Sequence, residues 1–301
     1  MTQPRPTDEL DPRRLSAEGV ERYLRRHGLE ARKNRSQNHL VDGQIIEDIV
    51  ALADIATGSH VLEIGPGLGV LTGALLVAGA NVTTVEVDSR LAAHLRTRYE
   101  ERIASGGLRL VEADVLDTPL DDIAAAPYDV VANLPYHITS PVLHYLLGDE
   151  PRPERFVLMV QREVAERISA DPGDMSYLSV FVQYHAAVRI AFLVPREAFE
   201  PSPDVESAVV EIRPADPMGD RPRLSAADED ELWRLVQAGF RERRKKLHNV
   251  ISRQLTLSSA TVQEALDAAG IDGNRRPQTL DVEEWLALRI ALTPLPVKTA
   301  R

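Results

Sequence analysis

The stretch His60-Val-Leu-Glu-Ile64-Gly65-Pro66-Gly67-Leu68-Gly69 leads directly into Val70-Leu-Thr-Gly-Ala-Leu-Leu-Val-Ala78. A short apolar run, a turn with glycine at alternate positions and an apolar helical pattern read as strand, turn and helix. That order is the ligand-binding corner of a doubly wound α/β sheet, where glycines let a ligand approach the backbone and the helix N-terminus faces it. A dinucleotide fingerprint would place its third glycine at position 70, which is Val, so the spacing disfavours a nicotinamide or flavin site.

Glu63-x-Gly-x-Gly-x-Gly69 is similar instead to the pattern of methyltransferases that use S-adenosylmethionine (SAM), a ligand with no pyrophosphate. Working outward, the next strand, Asn81 to Glu86, ends in an acidic residue 21 positions after Gly65. A carboxylate there can take both ribose hydroxyls; Glu86 is preferred to Asp88 because it sits at the strand tip. The third strand, Leu108 to Glu112, leads to Asp114, which reads either as a helix cap or as an acceptor for the adenine amine. The fourth, from Tyr128 through Ala132, runs into Asn133-Leu134-Pro135-Tyr136. Alone, that tetrapeptide is an ordinary turn. At the end of a fourth successive strand whose tip carries a needed group, it supplies an amide oxygen, extended main-chain carbonyls and an aromatic face, which together can hold a planar base by its exocyclic amine.

Farther along, Ser140 to Leu147 predicts a helix, Glu154 to Val160 a fifth strand, and Gln161–Ser169 and Ser176–His185 two helices. Ala187 to Val194 and Glu206 to Arg213 are β-rich and close the far edge of the sheet, giving seven strands with the last antiparallel. Between them, Phe199 stands on a proline-stiffened loop as either a packing plug or a base-stacking clamp. Proline, glycine and charge at 214–223 mark a boundary. Beyond it, Asp228–Arg253, Ala260–Ala269 and Val282–Leu292 predict a small helical bundle whose first helix carries Phe240-Arg-Glu-Arg243-Arg244-Lys245-Lys246. Residues 1–15 read as disordered and Ala17 to His27 as a short basic helix. The domains expected are therefore an arm at 1–30, an α/β Rossmann-like, seven-stranded SAM-dependent methyltransferase domain at 31–215, and an all-α C-terminal domain at 216–301.

The 301 residues carry a net charge of −11 and no cysteine. The absence of cysteine excludes disulfides, thiolate metal sites and cysteine-nucleophile chemistry such as carbon-5 pyrimidine methylation; no metal is expected. Charge is uneven: residues 1–40 hold 9 basic against 6 acidic side chains, residues 217–301 hold 14 against 12, and the middle holds 12 against 28. Any phosphate backbone is therefore expected to meet the flanks. Met1–Arg14 is polar with no apolar leader core, and no run approaches the roughly 18 apolar residues of a membrane span, so a cytoplasmic protein without membrane or DNA partners is expected.

Asn38-x-Leu40, Glu63-Ile-Gly-Pro-Gly-Leu-Gly69, Glu86, Asp114, Asn133-Leu-Pro-Tyr136, Phe199-x-Pro-x-Pro-x-Val205-x-Ser-Ala-Val209 and Arg243-Arg-Lys-Lys-Leu-x-Asn249 occur in this chain in an order that resembles the ribosomal RNA adenine dimethyltransferases, most closely the small-subunit branch. Two departures stand out: Ser36-Gln-Asn-His39-Leu40 replaces Gly-Gln-Asn-Phe-Leu, and Val205-Glu-Ser-Ala-Val209 replaces Val-Asp-Ser-Ala-Val. The resemblance implies transfer of methyl groups from SAM to the N6 amines of two adjacent adenines near the 3′ end of small-subunit rRNA, two per base. It also implies a cofactor site lined by Asn38, Leu40, Gly65, Gly67, Glu86, Asp114 and Asn133. Catalytic positions would be Asn133, Leu134, Pro135, Tyr136 and Phe199, with RNA contacts from Arg243, Arg244, Lys245 and Lys246. The partner would be rRNA or an assembling small subunit. The rivals are a large-subunit enzyme of the antibiotic-resistance type, a DNA adenine enzyme, disfavoured by Leu134 where Pro is usual, and a non-catalytic assembly factor.

Overall fold

The computed structural model describes residues 10–29, 38–214, 224–242 and 244–293. Nine strands occur among them: β1 (His39–Leu40), β2 (His60–Ile64), β3 (Asn81–Glu86), β4 (Leu108–Glu112), β5 (Tyr128–Asn133), β6 (Arg155–Gln161), β7 (Ala186–Val194), β8 (Phe199–Glu200) and β9 (Ser207–Pro214). Seven of them form one sheet, the number the sequence predicts, and their order is β4-β3-β2-β5-β6-β9-β7. The pairs β3–β4, β2–β3, β2–β5 and β5–β6 are parallel and β6–β9 is antiparallel. Leu62, Val130 to Ala132 and Phe156 to Val160 are all at most 1% exposed. Such continuous burial follows from helices covering both faces of a parallel sheet.

Chain order reverses at β2, whose neighbours are β3 on one side and β5 on the other. Ligands of doubly wound sheets bind at such a switch point, beyond the carboxyl ends of the strands. The register sets His60 opposite both Asn81 and Tyr128, which brings the ends of β2, β3 and β5, and so Ile64, Glu86 and Asn133, to one edge.

A second, two-stranded sheet pairs β1 with β8, His39 opposite Glu200 and Leu40 opposite Phe199, and Val41 N–H donates to the Ala198 carbonyl at 2.8 Å. Residues 1–15 read as disordered in the sequence, but 10–15 are ordered. Leu10 is 1% exposed within the core, and Asp11 caps the turn Pro12–Arg14. One apolar anchor in a polar segment suffices.

Contacts divide the chain into residues 1–165 with 187–214, and residues 166–186 with 215–301. The segment 166–186 thus groups with the C-terminal helices rather than with the sheet domain in which the sequence placed it. Its Met175 and Val180 join a core with Leu232, Leu235, Ile251, Leu266 and Trp285, each 0% exposed. Gly239 is needed there: a Cβ would stand 2.4 Å from Trp285 Cη2.

The helix predicted over Asp228–Arg253 is two helices, Ala226–Phe240 and Leu247–Leu255. Five cations within residues 241–246 would crowd fewer than two helical turns, and like charges three and four apart are unfavourable. The break also turns Leu247, Val250 and Ile251 into the core, while Leu247 and His248 N–H groups donate to the Arg275 and Gly273 carbonyls at 2.8 and 3.2 Å.

Candidate active site

At the carboxyl edge of the sheet lies a cavity of about 510 Å³, a typical size for a small-molecule site. Its wall includes each of Asn38, Leu40, Gly65, Gly67, Glu86, Asp114, Asn133, Leu134, Pro135, Tyr136 and Phe199. All eleven predicted cofactor and catalytic positions therefore meet in one place. Arg244 and Lys245 are exposed on the connector at 241–246, where Lys246 Nζ donates to Asn274 Oδ1 at 2.8 Å. Arg243 lies outside the described residues.

The glycine turn builds the floor. Gly65 and Gly67 have φ of 68° and 57°, a left-handed conformation that costs a residue with a Cβ. A Cβ on Gly65 would also sit 3.2 Å from Pro135 Cδ, so the turn after β2 and the turn after β5 touch.

Glu86 is 5% exposed. Its Oε1 accepts the Asp88 N–H at 2.8 Å and its Oε2 the Gly67 N–H at 3.4 Å. Burial raises its pKa, and those two amides oppose the rise. Asp88 is occupied elsewhere: it caps the helix Ser89–Arg98 through Arg90 N–H at 3.0 Å and pairs with the Arg90 guanidinium at 3.2 Å. Asp114 is exposed and caps the turn Val115–Asp117, accepting from Leu116 N–H at 3.0 Å. The cap read for it in the sequence is present, and Asp114 also lines the cavity.

Glu63 lines the same cavity but received no role from the sequence. It is 1% exposed, and Thr72 Oγ1 donates to its Oε2 at 2.5 Å. Burial pushes its pKa up to about 8; the Thr72 bond opposes this, and the neighbouring Glu86 adds to it.

Asn133 ends β5 opposite Met159, and Leu134 N–H donates to the Met159 carbonyl at 3.1 Å. That bond fixes the strand tip. Among the described residues, no hydrogen bond engages the Asn133 side chain. Leu134 is 1% exposed and lines the cavity. The Tyr136 hydroxyl shares a 2.7 Å hydrogen bond with Ser207 Oγ of β9, which holds the half-buried ring. Ser207 lies inside the quoted Val205–Val209 motif, but no side-chain property pointed to this contact across 71 positions. Phe199, 2% exposed, packs in the core beside the cavity, and its pairing with Leu40 brings Asn38 to Leu40 onto the wall.

SAM fits these residues. The lining carries the carboxyls Glu63, Glu86 and Asp114 and, among the described residues, neither Lys nor Arg. That suits a cationic ligand without phosphates. At Gly67 a Cβ would meet only His39 Nδ1, at 3.8 Å, so the turn leaves room for a ligand.

A seven-stranded Rossmann-like sheet with this cavity at its switch point defines a SAM-dependent methyltransferase, and Asn-Leu-Pro-Tyr at the tip of β5 suits an amine as acceptor. The family model for ribosomal RNA adenine dimethylase matches residues 28–293, and the chain belongs to that family. A ribosomal RNA small subunit methyltransferase A of Moorella thermoacetica is 40% identical over 278 residues, covering 88% of this chain and 93% of that protein. Among solved structures, a dimethyladenosine transferase from Plasmodium falciparum superposes with a TM-score of 0.71 at 26% identity, covering 84% of this chain and 97% of that one. The 23S rRNA methyltransferase ErmE gives 0.66 at 29%, covering 85% and 99%.

Proposed function

We propose that this chain transfers methyl groups from SAM to the N6 amines of two adjacent adenines near the 3′ end of small-subunit rRNA, two to each base, during small-subunit biogenesis in the cytoplasm. The observation that carries this reading is the packing of Pro135 on Gly65, which sets the amine-binding turn against the cofactor turn. Bound SAM supplies a methyl group on a sulfonium centre, an excellent leaving group.

The protein's own residues have to make a poor nucleophile usable, because the lone pair of an aryl amine is delocalised into the ring. Acceptance of the amine hydrogens by Asn133 Oδ1 and the Leu134 carbonyl would favour a pyramidal nitrogen with its lone pair aimed at the methyl. Positioning of this kind can supply a large share of the rate. The target base must first leave its stack, and Tyr136, steadied by Ser207, offers it a face. Phe199 supports the wall rather than an open clamp, being buried. Glu86 would hold the ribose hydroxyls, Asp114 the adenine amine, and Asn38, Leu40, Gly65 and Gly67 the remaining wall.

Arg243, Arg244, Lys245 and Lys246 would meet RNA phosphates. Among the described residues Arg244 and Lys245 have no acidic partner, whereas Glu242 is taken by Arg253 at 2.9 Å. The 40% identity over 88% of the chain to a small-subunit methyltransferase supports the small-subunit substrate. Methylation of undermethylated small subunits, with naked large-subunit rRNA as the competing substrate, tests the choice: methyl transfer to the latter alone would reverse it.

A further inference from the structure

His39 is a polar group on the cavity wall that the methyl-transfer chemistry leaves unused. It is 9% exposed, its Nε2 is enclosed without a hydrogen-bond partner, and its Nδ1 lies 3.8 Å from where a Cβ on Gly67 would stand. An unpaired buried polar group is unfavourable, whereas a phenyl ring at this position would fill the space without that penalty. Burial lowers the imidazole pKa to about 4, so the ring is neutral, with one nitrogen a donor and the other an acceptor. A proton on Nδ1 leaves only a lone pair at the enclosed Nε2 and places the N–H beside the glycine turn.

The methionine tail of the cofactor brings a carboxylate into a wall poor in groups to receive it. Glu86 and Asp114 would repel it, the buried Glu63 carboxyl is engaged by Thr72, the Tyr136 hydroxyl is engaged by Ser207, and His137 is exposed at the surface. Neither Lys nor Arg is in the described lining; the side-chain donors there are the Asn38 and Asn133 amides and the imidazole, and the imidazole is the one that stands beside the Gly67 turn. That turn leads into the N-terminus of the helix Val70–Ala78, the end that favours negative charge.

We propose that His39 is a recognition residue for the cofactor's methionine carboxylate, donating its Nδ1–H to it beside the Gly67 turn. The proposal rests on this cavity being the SAM site.

Calorimetry with two ligands tests it: S-adenosylhomocysteine, which carries the carboxylate, and 5′-methylthioadenosine, which keeps adenosine and sulfur but lacks the tail. His39→Phe should weaken S-adenosylhomocysteine about tenfold, the scale of one charge-assisted hydrogen bond, and leave methylthioadenosine binding unchanged. His39→Asn, whose amide nitrogen can occupy the place of Nδ1, should keep most of the affinity, while His39→Gln, which extends the amide toward the place of Nε2, should not. Equal weakening of both ligands in His39→Phe would assign the ring to packing and overturn the proposal, as would unchanged S-adenosylhomocysteine affinity in that variant. Wild-type protein that binds neither ligand would overturn the cofactor site itself.

Discussion

Removing the Tyr136 hydroxyl separates ring stacking from ring anchoring. In the sequence alone Tyr136→Phe looks harmless, because the aromatic face survives. The structure ties that hydroxyl to Ser207 Oγ at 2.7 Å, and Ser207 is 0% exposed. Tyr136→Phe therefore strands a buried hydroxyl. The lost bond is worth about 0.5–1.5 kcal/mol net, and an orphaned buried partner raises the cost to about 1–3 kcal/mol. Ser207→Ala leaves the half-buried phenol instead and should cost less, about 1 kcal/mol. The double variant strands nothing, so its destabilisation should fall short of the sum by about 1 kcal/mol. Urea denaturation of the four proteins measures the cycle. Single-turnover methylation should show the same few-fold loss in both single variants, while Tyr136→Ala should lose the stacking itself, about 1–3 kcal/mol. Additive stabilities would refute the anchoring. A large rate defect in Tyr136→Phe with none in Ser207→Ala would show the phenol acting on the substrate directly.

Glu86→Gln should weaken SAM binding by about 1–3 kcal/mol, the scale of losing charge-assisted hydrogen bonds; calorimetry on the folded variant checks it, and unchanged affinity would remove the ribose assignment. Replacing Arg244, Lys245 and Lys246 with Gln should flatten the salt dependence of RNA binding by roughly one unit per lost phosphate contact without moving SAM affinity, and an unaltered slope would return the connector to a solvated role. Glu63 has a pKa raised by burial from 4.5 to about 8. The folded state therefore holds a proton that the unfolded chain releases, and this contribution to stability is fully present below pH 4.5 and lost as pH rises through about 8. In Glu63→Gln that component should vanish, so melting curves of variant and wild type should diverge in the variant's favour as pH rises across this window; parallel curves would show the carboxyl ionised in both states.

The strands of the sheet were legible because a parallel sheet covered on both faces needs apolar runs, and each of the parallel strands β2 to β6 ends at a polar residue or runs into a glycine. The bounds of β2, β3 and β4 follow directly, and their ends locate the cavity. What stayed hidden depends on contacts distant in sequence. A two-residue pairing such as β1 with β8 has no period to detect, yet it brings Asn38 to Leu40 onto the wall. The Ser207 anchor and the grouping of 166–186 with the C-terminal helices are tertiary facts of the same kind. The helical pattern across 228–253 continued through a basic run because hydrophobic spacing registers neither charge crowding nor the carbonyls of Gly273 and Arg275 that receive the restarted helix.

The most direct test of the central claim, that Asn133 and Leu134 orient the target amine, is single-turnover methylation of undermethylated small subunits by wild type and Asn133→Ala, counting mono- and dimethyladenosine separately. Asn133→Ala should slow transfer by something like ~10²-fold, the low end for losing one preorganised polar group at a reacting centre. The second methylation should suffer more than the first, because a monomethylated amine keeps only one hydrogen by which to be oriented. Equal loss in the two steps, or an undiminished rate at saturating SAM, would contradict the account and leave Asn133 with a role toward the cofactor alone.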